Sequence, residues 1–265
     1  MRLRIALLLA AAVTSPLAAQ TDDGTTFRWS GPVASDHFIR IHNMNGDIRV
    51  ERGAPGSRVE VVAERRVERG DPKLVSFDVR MRADGDVVIC ALWGPDMRCT
   101  DDGSRGSYSA GGWRRNDQTS VVIRVRVPEG VKAFARSTNG GIVVDGMTSE
   151  VDAATTNGDV NVRTSGGLVN ASSTNGSITA SLGSTAGDQP MHFTTTNGSV
   201  TVYAPPTLSA DLEMSTTNGG VTTDFPMTVS GSFKRNRIRG TLGGGGRSIV
   251  VRSTNGDVSL RNNRI

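Results

Sequence analysis

Val-Asp-Ala-Ala-Thr-Thr-Asn-Gly-Asp-Val-Asn-Val (151–162) returns eighteen residues later as Val-Asn-Ala-Ser-Ser-Thr-Asn-Gly-Ser-Ile-Thr-Ala (169–180). On both sides of the Asn-Gly pair, small or apolar residues alternate with polar ones. A period of two is that of a strand, because successive Cβ atoms of a strand point to opposite faces. The Asn-Gly pair occurs seven times, at Asn45-Gly46, Asn139-Gly140, Asn157-Gly158, Asn175-Gly176, Asn197-Gly198, Asn218-Gly219 and Asn255-Gly256. From Asn139 onward the steps are 18, 18, 22, 21 and 37 residues, and the doubled last step predicts one degenerate coil around Val229 to Leu242.

Aligned on Asn, the positions six and four before it and three and five after it are apolar in every copy except for Thr223. Thr stands one place before Asn in six of the seven copies, and Ser or Thr two places before it in the same six. Asn-Gly supplies residues that tolerate positive φ, so each copy reads as a strand, a corner and a second strand. A meander of hairpins and a parallel solenoid both satisfy this pattern. A hairpin pairs residues before the turn with residues after it and gives no reason for Thr to lie above Thr. A solenoid stacks equivalent positions about 4.8 Å apart. The near-constant period and the columns of like residues favour the solenoid. Each inward Val or Ile then contributes about 1.5–3 kcal/mol of burial, realised only when coils share one core.

The stretch before residue 131 is different. Strand-like runs at Phe38 to Val50, Arg58 to Val67, Leu74 to Arg82, Asp86 to Leu92 and Ser120 to Val127 predict an antiparallel β-region over 25–130. It is expected to cap a solenoid domain spanning 131–265, since a bare solenoid end is an open sheet edge. Asp84-Gly85-Asp86 reads as a hairpin turn. Residues 94–117 are polar and Gly-rich and read as a long mobile loop.

Residues 1–19 read as a secretory signal: Arg2 and Arg4, a short apolar run from Ile5 to Val13, then small residues near Ala18. The expected location is therefore the periplasm or the cell surface, with no membrane-spanning segment in the mature chain. Loss of Arg2 and Arg4 lowers the formal net charge from +4 to +2, so the basic pI of the whole chain does not argue for nucleic acid. In an oxidising compartment, Cys90 and Cys99 read as a disulfide at the base of the long loop.

Val125 to Gly140 (Val-Arg-Val-Pro-Glu-Gly-Val-Lys-Ala-Phe-Ala-Arg-Ser-Thr-Asn-Gly), the recurring Thr-Asn-Gly, and the ending Gly240 to Leu260 with its Gly243 to Gly246 run form an ordered set. With the signal segment, this set resembles the bacterial putative-adhesin family (domain of unknown function 4097). The resemblance implies a β-solenoid envelope protein and offers no catalytic residues.

Glycoside hydrolysis needs two carboxyls roughly 5–10 Å apart. Asp152 and Asp159 share a coil but lie across its corner. The best acid–base pair is His192 with Glu213, expected on neighbouring coils of one face. Asn-Gly-Asp occurs at Asn45, Asn157 and Asn255, without the nine-residue pattern of calcium repeats. Gly243 to Gly246 lacks the Lys-Ser/Thr of a phosphate loop. With only His37, His42 and His192 present, a nucleophile has almost no base to use. No catalytic, cofactor-binding or metal-binding residues are therefore expected.

Three surface features remain. The Thr, Ser and Asn columns suit ladder hydrogen bonding, or recognition of glycans or ice. Lys234, Arg235, Arg237 and Arg239, continued by Arg247, Arg252, Arg261 and Arg264, suit an anion such as a lipid phosphate. Trp93, Tyr108 and Trp113 suit sugar contact or cover for the end of the core. The leading expectation is a non-enzymatic, adhesin-like β-solenoid scaffold in the cell envelope, contacting glycan or another envelope protein. The alternatives are a β-helix carbohydrate-active enzyme and an envelope-stress sensor that binds anionic lipid.

Overall fold

The structure, a computed structural model, describes residues 18–106, 118–229 and 234–263. The signal-like segment up to residue 17, Tyr108, Trp113 and Arg264 lie outside these residues. Apart from one short 3-10 turn at Pro72–Leu74, the regular structure among the described residues is β-strand.

Each coil folds in half at its Asn-Gly corner. In the Asn157 coil, Val160–Thr164 joins a first sheet and Val151–Asn157 joins a second. Both sheets have 11 strands and face each other across one core. Equivalent positions lie side by side in parallel register, Asn139 on Asn157, Asn157 on Asn175 and Asn175 on Asn197. This is the solenoid, not the meander. The inward pairs Val151 and Ala153, Val169 and Ala171, and Val160 and Val162 are buried. Fully buried Phe193 is in register with Ala171, so a large side chain fills the room its small neighbour leaves.

The stacking begins before residue 131. Phe38–Asn45 pairs in parallel with Lys132–Asn139, and Ile48–Arg52 with Ile142–Met147. The Asn45 coil is thus the first rung, and the capping strands attach to it. On the first sheet these are Thr119–Val127, parallel to Ile48–Arg52, followed by antiparallel Val59–Val67, Thr26–Gly31 and Ala19–Asp22. On the second sheet they are Val87–Trp93 and antiparallel Val75–Met81, joined by the Asp84–Asp86 turn. Arg65 ties the cap together. Its Nε donates to Val75 O, and its Nη atoms donate to both carboxylate oxygens of Asp22 at 2.8 and 2.6 Å.

At the other end the expected degenerate coil over Val229 to Leu242 is absent. Met227–Val229 and Arg237–Leu242 form an antiparallel pair that closes the second sheet on Ala210–Asn218. The coils are also out of sequence order. The final coil, Ser248–Asn255 with Val258–Asn262, is inserted between the Asn197 and Asn218 coils. Periodicity fixes which residues share a column but not the order of the rungs, because every rung carries the same turn and inward pattern.

The segment 94–117, expected to be one mobile loop, contains a short hairpin, Arg98–Thr100 with Gly103–Arg105. The Cys90–Cys99 disulfide holds it against the cap, with Cα atoms 5.7 Å apart. Trp93 is buried and covers the core.

Candidate contact surface on the second sheet

The corner residues are committed to the fold. From Asn157 onward each corner Asn donates its side-chain amide to Oδ1 of the Asn in the rung before it: Asn157 to Asn139, Asn175 to Asn157, Asn197 to Asn175, Asn255 to Asn197 and Asn218 to Asn255, all at 2.7–2.8 Å. Two places upstream, the buried hydroxyls of Ser137, Thr155, Ser173, Thr195, Ser253 and Thr216 donate to the glycine carbonyl of the preceding rung, at 2.8–3.2 Å. The Asn45 copy departs from this pattern because it ends the ladder. Asn43 donates to Gly46 O and Val121 O, and Asn45 to Thr119 O. The corner glycines are required by close approach: a Cβ on Gly140, Gly158, Gly176, Gly198, Gly219 or Gly256 would run into the glycine carbonyl of the rung beside it. The Thr column one place before Asn is solvent-exposed.

The second sheet's outer face carries two clusters. Toward the cap, the Phe134 ring lies between the guanidiniums of Arg40 and Arg136, each 4.8 Å from its centroid. His42, in register with Arg136, is buried beneath the 98–105 hairpin, its ring 5.5 Å from Phe134, and among the described residues its Nε2 has no hydrogen-bond partner. Burial, helped by the positive charges of Arg136 and Arg40, pushes its pKa down to about 4. Burial raises the pKa of Asp152 above the usual carboxylate range, against the pull of Arg136.

Toward the C-terminal end lies an open groove of about 620 Å³, lined by Thr194, Ser215, Lys234, Asn236, Arg237 and Arg252 among others. Glu213 forms part of its wall and is shared by three arginines, accepting from Arg239 and Arg252 at 2.8 Å and from Arg237 at 3.4 Å. Burial opposes the charge of Glu213, but the hydrogen bonds from Arg252 and Arg239 outweigh it and hold the carboxyl below its ordinary range. One carboxylate against three guanidiniums leaves the groove with excess positive charge, to which Lys234 adds.

Of the basic run, Arg237 and Arg239 are brought together with Arg252 at Glu213, and Lys234 lines the same groove. Arg235 offers its backbone carbonyl to Val221 N. Arg261 pairs with Asp224, and Arg247 is buried away from the groove. The expected His192–Glu213 pair does not form. Both are in register with Val250 from opposite sides, so a whole strand, about 9.6 Å of rung spacing, separates them. That strand belongs to the final coil, and nothing in the repeat pattern announced its insertion. Among the described residues, no group of three or more His, Cys, Asp or Glu is placed to hold a metal ion.

Two facing, largely parallel sheets, Asn and Ser/Thr ladders at the corners from Asn139 onward, and antiparallel strands at each end define a capped β-solenoid. Residues 120–261 match the Toastrack DUF4097 family model, and the chain belongs to that family. Among solved structures it is similar to a putative cell adhesion protein from Clostridium sporogenes, at 9% identity and a TM-score of 0.50, covering 90% of this chain and 99% of that one. A putative adhesin from Bacteroides fragilis is 12% identical, with a TM-score of 0.29 over 89% of this chain and 96% of the other. The first likeness is one of fold. No curated protein matches the chain.

Proposed function

We propose that this protein is an exported, non-enzymatic scaffold of the cell envelope, adhesin-like in its use of a rigid solenoid face to make contacts. The groove at Glu213 is the contact site and an acidic envelope glycan its ligand. The observation that carries this reading is the sharing of one carboxylate by Arg237, Arg239 and Arg252 beside the hydroxyls of Thr194 and Ser215. Glu213 fixes the guanidinium planes, and the unspent positive charge and hydroxyl groups suit a sugar that carries carboxylate or phosphate. The 98–105 hairpin under its disulfide fits an oxidising compartment. Among the described residues, no helix is long and apolar enough to cross a membrane.

The reading is tested by an array of neutral and acidic glycans with the chain lacking residues 1–19. Binding should be confined to acidic glycans, weaken with salt, and be lost on Arg252→Ala with Arg237→Ala. Binding only to anionic liposomes, abolished by the same pair, would replace glycan by lipid. Turnover of a polysaccharide that is lost on Glu213→Gln would overturn the non-enzymatic reading.

A further inference from the structure

The seven Asn-Gly bonds share one local sequence but not one environment. Conversion of Asn to Asp at such a bond begins when the glycine amide nitrogen attacks the Asn Cγ, so the state of that N–H decides whether the bond can react. The amides of Gly46, Gly140, Gly158, Gly176, Gly198 and Gly256 each donate to the Asn carbonyl of the neighbouring rung, at 2.6–2.9 Å. Those nitrogens are held in the sheet and turned away from their own side chains. Gly219 belongs to the last rung of the stack. Among the described residues no acceptor meets its N–H, and no donor meets Asn218 Oδ1, whereas Asn139, Asn157, Asn175, Asn197 and Asn255 each accept from the next Asn. The strand that follows, Val221–Thr223, has three residues; among the described residues its one strand partner is Val258–Asn262, and Val221 N donates to Arg235 O at 3.3 Å. Gly219 is followed by Gly220, as Gly140 is by Gly141, so the sequence after the turn does not set this corner apart; the missing acceptor for the Gly219 N–H does.

We infer that Asn218 is a spontaneous deamidation site and that the ladder protects the other six. The Gly219 nitrogen forms a bond to Asn218 Cγ, the Cγ–Nδ2 bond breaks, and ammonia leaves with the proton from the Gly219 amide. Water then opens the resulting five-membered imide at either carbonyl. One product is an ordinary aspartate at this position; the other is isoaspartate, with the main chain rerouted through Cγ. In both, the donor to Asn255 Oδ1 is lost and a carboxylate appears near Asp257, whose Oδ1 accepts from Gly220 N. Isoaspartate also adds one carbon to the main chain, which displaces Val221 from its register with Val258. Thr216 and Thr217 immediately precede the site and line the groove at Glu213, so the covalent change acts on the wall of that groove.

The test is peptide mass spectrometry of the intact folded protein, incubated in water enriched in oxygen-18 at mildly alkaline pH, beside a sample in concentrated urea. In the folded protein, Asn218 should gain oxygen-18 at least about tenfold faster than any other Asn-Gly, because the inner corners must open before they react. In urea the seven sites should converge. An inner Asn reacting as fast as Asn218 in the folded protein would overturn the inference. So would Asn218 keeping the same lead in urea, since its lability would then lie in the Gly219-Gly220 sequence and not in the ladder.

Discussion

Asn255 Nδ2 lies 2.7 Å from Asn197 Oδ1, although 58 residues separate the two and Asn218 intervenes in the sequence. The C-terminal coil is therefore an interior rung, with strand partners on both sides in both sheets. The amide of Val251, in a strand flanked on both sides, should therefore exchange with solvent as slowly as that of Ile178. Val221 and Thr223, on the terminal rung, should exchange faster. Hydrogen exchange resolved by residue or short peptide checks this. Early exchange of Val251 would contradict the insertion.

The buried hydroxyl column supplies a second prediction. Thr195 is 2% exposed and donates to Gly176 O at 2.8 Å. Thr195→Val keeps the shape but strips that carbonyl of its donor, at a cost of about 1–2 kcal/mol. Thr196→Val, next in sequence but on the exposed column, should change stability by less than about 0.5 kcal/mol. Urea unfolding of both variants gives the comparison. Equal effects would show that the ladder hydroxyl adds nothing.

Much of this architecture was legible in the sequence because the repeat is dense. Val151, Ala153, Val160 and Val162 could be placed inside from spacing alone, and Thr195 in a column with Ser173 and Thr155. Rung order was not legible. The Asn218 and Asn255 coils carry equivalent inward residues, so their order depends on how Arg237–Leu242 pairs with Ala210–Asn218, a long-range contact without a local signal. The same gap made His192 and Glu213 look like neighbours. The three-arginine grip on Glu213 was half visible: Arg237 and Arg239 stood out as a basic run, but their carboxylate partner lies on another strand. His42 gave no signal in sequence, since its burial comes from a hairpin inside a polar, Gly-rich stretch.

The corner glycines predict a sharp contrast between two substitutions. Gly176 has φ +159, and a Cβ there would strike the backbone carbonyl of Gly158, which the sheet holds in place. Gly176→Ala should therefore cost about 3 kcal/mol or more, or prevent folding. Gly166 lies in the turn that leads to the Asn175 coil, has no left-handed φ, and offers a Cβ only an ordinary 3.6 Å contact with Thr148 O. Gly166→Ala should be neutral to slightly stabilising through the unfolded chain. If thermal unfolding places the two variants together, close approach is not what selects glycine at the corners.

The unfolded chain binds a proton at His42 below about pH 6.5, whereas the folded protein binds one only near pH 4. Between those values the unfolded state holds more protons, so this group lowers stability progressively as pH falls from about 6.5 to about 4, by roughly 3 kcal/mol in all. Arg40, Arg136 and Asp102 are the charges acting on the ring, and Asp102 alone favours the protonated form. His42→Phe removes the titrating group and should flatten the stability profile across that window. Reducing Cys90–Cys99 should cost about 2–3 kcal/mol through the freed chain. It should also let water reach the ring, so that the His42 resonance titrates closer to 6.5 by NMR. An unchanged low titration point after reduction would mean that packing against Phe134, and not the tethered hairpin, keeps the imidazole dry.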